Sequence, residues 1–482
     1  MKWPADLGML ARPMQSWQTG AVYDPAILGG AMRRTRWCSR CLIPFIMLIL
    51  SASAWAQKQG TRQVPVDSLI FDLKNPDPAR RKEAANQLGL NKIQRAVPDL
   101  VAASGDHEAD VRREIVVALD RILDPRALPA FVNLSADPEK DIRDRSIHGI
   151  LNLYLPQEKG LTATFSKMAN FLNPWSDEWD QVVVEPGIVP DPAAVAALRA
   201  RMQDQEETLR IKAARTLGIL KGRDAIPSLV ESLRNDSSNA VRFESVRALR
   251  KIGDTTVSKD VLDFVEYNDS KTRHEAVYTV GRFRYSPAVS ELSRLFEKEA
   301  SPAGGKPDKT YVDTLIDALA FIADSSSKEL FLRQLKSSDE TIRLHAMEGL
   351  ARIGDPAMVT DVSRERMNEK DPRMRTAQAF ALYRMGRREY LDEVAKALGS
   401  RKTSQEARQY LAETRPEEMP DLLAQAKNED TGVRESIAEI LGLIGDARAI
   451  PVLQEMSQDR HGQVAALSNQ AIRRISARTG TK

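Results

Sequence analysis

Cysteine occurs twice in 482 residues, at Cys38 and Cys41, and histidine five times. Both cysteines fall in a leader-like segment treated below, so their C-x-x-C spacing is not read as a redox or metal pair. The rest of the chain has no cysteine and therefore no disulfide. His107, His148, His274, His345 and His461 are nowhere closely spaced, which is poor material for a metal centre. No G-x-x-x-x-G-K, G-x-G-x-x-G or G-x-S-x-G occurs, so the usual phosphate cradle, dinucleotide turn and nucleophile elbow are missing. No catalytic, cofactor-binding or metal residue is assigned, and no cofactor is expected. Aromatics make up only 6% of the residues, which suits thin helical layers built from Leu, Ile, Val and Ala.

What is present is a line written many times. ILGLIGDARAIPVLQEM begins at Ile440 and TLGILKGRDAIPSLVESL at Thr216. The full unit has an Asp, a Val/Ile-Arg pair, an Ala-rich apolar run ending near Gly, then Asp and a second run containing Pro. Its arginines are Arg81, Arg112, Arg143, Arg210, Arg242, Arg273, Arg343, Arg375 and Arg434, and uninterrupted neighbours lie 31 or 32 residues apart. Four or six residues before them stand Asp77, Asp106, Asp137, Asp204, Asp236, Asp269, Asp339, Asp371 and Asp430.

In VRESIAEILGLIGD, residues 433–446, Val433, Ile437, Ile440, Leu441 and Ile444 recur at helical spacing and form one apolar stripe. Asp430 stands where an N-cap belongs, a feature contributing about 1 kcal/mol. Gly445 ends that helix, and Asp446 opens a second one with Pro451 early in it. Gly253-Asp254 and Gly354-Asp355 repeat the punctuation, and Pro98, Pro129 and Pro227 repeat the proline. Each unit is a helical hairpin of about 30 residues, too small to bury both faces alone, so neighbours must stack and share a core.

The line VRxxAxxxLGxIGDxxAIPxL, nearly whole at 433–453 and varied at 209–229, resembles the short HEAT-like repeat first associated with phycobilisome lyases. The resemblance covers the chain from about Pro76 onward. It implies an all-α fold, a right-handed α–α superhelix (a HEAT-like solenoid) of about twelve hairpins, with a concave surface made by second helices such as those holding Pro227 and Pro451. The unit at 312–322 departs from the line, with Asp313 read in place of the arginine, and the unit near 401–426 has no clean Val-Arg or Gly-Asp.

The first 56 residues follow other rules. From Met32, Arg33, Arg34, Arg36 and Arg40 precede the apolar run CLIPFIMLIL and the small-residue end SASAWA, the order of a secretory signal peptide over 32–56. Export to the periplasm or medium is expected, with an uncleaved membrane anchor as the alternative and no stable membrane span after cleavage. Residues 1–31 read as an extension ahead of the true start. The 56 residues carry six Lys/Arg and two Asp/Glu, so the remainder has a net charge of −1 rather than +3. A near-neutral exported chain is a poor binder of nucleic acid, whose affinity comes mainly from clustered positive charge. Residues 57–75 read as a linker, 76–155 and 191–482 as repeats, 156–190 as an insertion and 298–309 as a mobile Gly/Pro/Lys loop.

Nine stacked arginines would suit an acidic partner, but an Asp accompanies each and Glu follows at Glu83, Glu114, Glu244 and Glu275. The expected role is therefore structural pairing with a carboxylate of the same or the next unit. RHEAVYTVG, residues 273–281, is similar to the His-Glu repeat of deoxyhypusine hydroxylase, a HEAT-like di-iron enzyme that needs several such pairs. His274-Glu275 matches one, His107-Glu108 lies off register, and Lys82-Glu83, Arg113-Glu114, Phe243-Glu244 and Leu344-His345 do not match. The insertion holds Phe165, Phe171, Trp175 and Trp179, either a recognition loop or rings that plug a groove. The expectation is a non-catalytic, exported scaffold binding a protein or peptide on its concave surface. The alternatives are an enzyme of bilin-lyase type and a nucleic-acid-binding solenoid.

Overall fold

In the computed structural model the chain divides into two units at Val64 and Pro65. The structure describes residues 65–155, 179–180, 182–301 and 306–480, all in the second unit. The leader-like 32–56, the residues before it, and Phe165, Phe171 and Trp175 lie outside the described residues.

The described residues are helical throughout, without strand. Twelve first helices alternate with twelve second helices, the first helices running from Pro78–Leu90 to Gly462–Thr479. Local chemistry sets their ends. Asp430 accepts the N–H groups of Gly432 and Val433 at the start of Thr431–Ile444, and Asp446 caps the short turn leading into Ile450–Met456. Gly253 and Gly354, at φ +77° and +68°, end Asn239–Ile252 and Glu340–Ile353 in the left-handed region where a side chain is strained.

The expected linker over 57–75 is corrected in its second half. Val66–Asp72 is a helix packed on Pro78–Leu90, a second helix contributed by VDSLIFD, whose short apolar stripe carries no motif letters. Likewise the expected loop at 298–309 starts late, because Val289–Ala300 is helical to its end.

Consecutive first helices stack directly on one another along the array, whereas most second helices pack mainly on neighbouring first helices. The first helices are accordingly the deeply buried layer. Lys309–Ile322 buries Tyr311, Val312 and every residue from Thr314 to Ile322, while the second helix Lys328–Gln334 buries only Leu330 and Phe331. Close stacking explains the Leu-Gly of the repeated line. A Cβ on Gly89, Gly218 or Gly281 would lie 2.6 Å from the Cα of Ala118, Ala248 or Ala318 on the next first helix.

Candidate functional site

All nine repeat arginines make the same contact within their own unit. Each donates to the main-chain carbonyl six residues earlier, for example Arg112 to Asp106 at 2.9 Å, Arg343 to Ser337 at 2.7 Å and Arg434 to Asn428 at 2.8 Å. The aspartates, alike in sequence, fall into two roles. Asp77, Asp269, Asp339, Asp371 and Asp430, four residues ahead, accept N–H groups of their own helix. Asp106, Asp137, Asp204 and Asp236, six residues ahead, receive both guanidinium arms of the preceding unit's arginine: Arg81, Arg112, Arg143 and Arg210. Arg434 finds Asp459 in the same way, and Arg273 reaches Asp308 at 3.4 Å. Arg242, facing a unit whose aspartate is a cap, instead donates to the carbonyl of Leu233 and lies over the Tyr267 ring. Burial pushes the Asp204 carboxyl up, but the N–H of Glu206 and the guanidinium of Arg143 hold it below the usual carboxylate range. The expected pairing with the next unit thus describes part of the set, and the guanidinium groups of Arg81, Arg112, Arg143, Arg210 and Arg434 are occupied by it.

Asp313 is not the missing arginine. Counted from its cap Asp308, the helix Lys309–Ile322 places Val312 at the arginine position, and the Gly281–Ala318 contact confirms that register. Lys309 serves Asp339 at 2.8 Å instead.

The first-helix layer carries a second, unpredicted set of charges on its buried face. Arg215 donates to Glu244 at 2.6 Å, Arg250 to Glu275 at 2.7 Å, and Arg282 approaches Asp317 at 3.3 Å. Further on, His345 shares a hydrogen bond with Glu348 at 3.1 Å, and Tyr410 donates to Glu348 at 2.6 Å across 62 residues. Arg352 grips Glu413 through Nε and Nη2. The guanidinium groups of Arg282 and Arg352 both lie over the Phe321 ring, 3.4 and 4.0 Å from its centroid. Burial drives Glu348 up, but His345 and Arg352 outweigh it and hold the carboxyl at about 2. Burial also lowers His345, yet its bond to Glu348 and the charges of Glu348, Asp317 and Asp313 keep the ring above the ordinary histidine value.

Asp317, His345 and Glu348 bring one donor atom each within 4.8 Å of the others, a grouping sequence spacing concealed. Its fit to a metal is poor, because Arg282 and Arg352 already supply cations to both carboxylates. His274 bonds the Ser270 carbonyl and meets the Tyr311 ring edge-on, while Glu275 belongs to Arg250.

The chain leaving the insertion enters this layer. Asp180 is fully buried against Arg247, at 3.5 Å, and Arg250. Lys251 donates to the carbonyls of Trp179 and, at 3.3 Å, Val182. The N–H of Val184 donates to the Ile219 carbonyl at 2.9 Å, and the Val184 side chain is 3% exposed. Glu185 approaches Arg474, and Gly187 rests against Ala477 of the last helix. Burial pushes Asp180 up, but Arg250, Arg247 and Lys251 bring it below the carboxylate range. Lys251, lowered to about 8 by burial and then by Arg250, shows how tightly positive charge is gathered there. Of the four aromatic residues singled out, Trp179 is the described one, half-buried and packed on the core. The available signal for this site was RALRK, residues 247–251, where interleaved charge gives way to three cations.

Deoxyhypusine hydroxylase from Gallus gallus is 27% identical over 177 residues, 36% of this chain, and the match spans only 55% of that relative. Among solved structures, an engineered protein covers 85% of this chain and is itself covered to 98%, at 18% identity and a TM-score of 0.33. The complex of CpcE and CpcF of phycocyanin lyase from Nostoc sp. covers 60% of this chain and is covered to 94%, at 18% identity and a TM-score of 0.26. The family model for HEAT repeats matches residues 66–150, 187–250, 227–303 and 391–473, more than half of the chain. Repeat line, alternating helices and family match agree, and the chain belongs to the HEAT-repeat family.

Proposed function

We propose that this chain is an exported, non-catalytic scaffold that binds a protein or peptide partner on its first-helix layer. One observation carries the reading: residues 179–180 and 182–188 lie on that layer as a bound peptide would, held by side chain and main chain together. That observation supports a surface on the first helices, whereas the family resemblance implies one on the second helices. Export rests on the order of arginines, apolar run and Ala-Trp-Ala in 32–56. Among the described residues no helix is long and apolar enough to cross a membrane.

The purified full chain, used as bait on the exported-protein fraction, tests this. One defined protein that rebinds the chain in purified form, at fixed stoichiometry, supports the scaffold. A co-purifying chromophore, metal or nucleic acid with no protein partner overturns it. The same preparation tests the enzyme alternative, for which the match to a hydroxylase is the supporting observation.

A further inference from the structure

The segment that follows the insertion presents a recognition pattern in cis. Its elements are a carboxylate at Asp180, main-chain carbonyls at residues 179 and 182, an N–H at Val184 and the Val184 side chain. Each has a counterpart: Arg247 and Arg250, which also meet Glu244 and Glu275, for the carboxylate, Lys251 for the carbonyls, the Ile219 carbonyl for the N–H, and the buried layer for the valine. Glu244, shared with Arg215, and Glu275 offset two of the three cations in these five residues, and the buried carboxylate of Asp180 offsets the remaining positive charge. Nothing in the fold requires the acid to come from the same chain. The stack of first helices does not itself run through this segment, since Lys140–Tyr154 packs directly on Glu207–Ile219.

We propose that Arg247, Arg250, Lys251 and the Ile219 carbonyl form a docking site for an acidic peptide of a partner protein, with an Asp or Glu four residues ahead of a branched apolar residue, and that the chain segment from Trp179 to Ile188 is its stand-in. The proposal rests on the scaffold reading above and names the surface and the partner's chemistry. The cis segment is tethered at millimolar effective concentration, so a partner competes with it and binds more weakly than the intrinsic contacts allow. Main-chain contacts make the site tolerant of intervening residues, and the carboxylate and the apolar side chain supply its selectivity.

The test uses the full chain and a fluorescent peptide of sequence WDQVVVEPGI, residues 179–188. The Asp180→Asn chain is expected to bind it at least 10-fold more tightly than the unaltered chain. Replacing the peptide's own Asp by Asn should weaken binding to Asp180→Asn at least 10-fold, and adding Arg250→Gln to the chain should abolish it. Equal binding of the Asp and Asn peptides, or no binding to a chain with unchanged helical signal, overturns the site, as does equal competition by inorganic phosphate. Should Asp180→Asn fail to fold, hydrogen exchange on the unaltered chain decides. Saturating peptide must raise exchange at Val184, and unchanged exchange overturns displacement. A partner protein that binds both chains equally and resists the peptide overturns this site while leaving the scaffold standing. Acid-dependent peptide binding without any protein partner does the reverse.

Discussion

Arg143 and Asp204 are 61 residues apart in sequence, yet Nε of the one donates to Oδ2 of the other at 2.9 Å. The corresponding pairs Arg81–Asp106, Arg112–Asp137 and Arg210–Asp236 are separated by 25 or 26 residues. The ladder therefore closes across the insertion as though it were not there. Both side chains are nearly out of solvent, at 6% and 2% exposure. Arg143→Leu leaves the Asp204 carboxylate buried without its main counter-charge, which costs about 3 kcal/mol. Lys82→Ala, at an exposed pair with Asp110, should cost far less. Urea midpoints with equal m-values measure the difference, and equal losses for the two variants would show that the buried ladder is not what joins the units.

Gly218→Ala should be strongly destabilising for a residue that makes no polar contact. Its Cβ would sit 2.6 Å from the Cα of Ala248, backbone that cannot step aside without moving a helix. Overpacking of this kind costs about 1–3 kcal/mol, more than the helix preference of alanine returns. Gly462→Ala, with nothing within 4 Å, should be neutral or slightly stabilising. Thermal unfolding of the two variants separates packing from propensity.

The fold was legible because each unit repeats its own instructions. Asp430, Gly445, Asp446 and Pro451 start and stop helices by local chemistry, and the 31-residue period forces stacking. The roles of the aspartates were less legible. A shift of two positions, from Asp269 to Asp236, decides between capping a helix and linking two units, and both look like an Asp before Val-Arg. Asp313 was misread for a related reason: Val-Asp aligns by letters with Val-Arg, but the cap at Asp308 sets the helix one residue differently. The His345 group was illegible, since Tyr410 reaches Glu348 from 62 positions away, and the Asp180 site showed only its cationic half, RALRK, because its carboxylate lies 70 positions before Arg250.

Asp313 makes neutral pH unfavourable to the fold. Burial, with Asp339 and Asp317 adding to it, raises its carboxyl to about 6, and its Oδ1 has no hydrogen-bond partner. A carboxyl whose folded value is raised favours the folded state only while it is protonated. Its penalty is absent below about pH 4 and complete above about pH 6. Asp313→Asn should therefore stabilise the chain at pH 7, on the order of 1 kcal/mol after solvent screening, and lose that advantage by pH 4. A variant no more stable than the parent at pH 7 contradicts the assignment.

His345 and Glu348 give the opposite dependence on each side of a window. The raised histidine contributes stability in full below its unfolded value near 6.5, and loses it as pH rises through the folded value. Glu348, held at about 2, contributes in full above its unfolded value near 4.5 and loses it as pH falls toward 2. The groups facing the pair are Asp313 and Asp317 from one neighbouring helix, Tyr410 from another, and Arg352 on their own, itself bound to Glu413. Their joint contribution is greatest between about pH 4.5 and 6.5. His345→Gln keeps a side chain able to hydrogen-bond but removes the charge, so its deficit in melting temperature should peak near pH 5.5 and shrink above pH 8. A deficit independent of pH between 5 and 9 would mean that the ring packs there as a neutral group and that its pairing with Glu348 carries no charge.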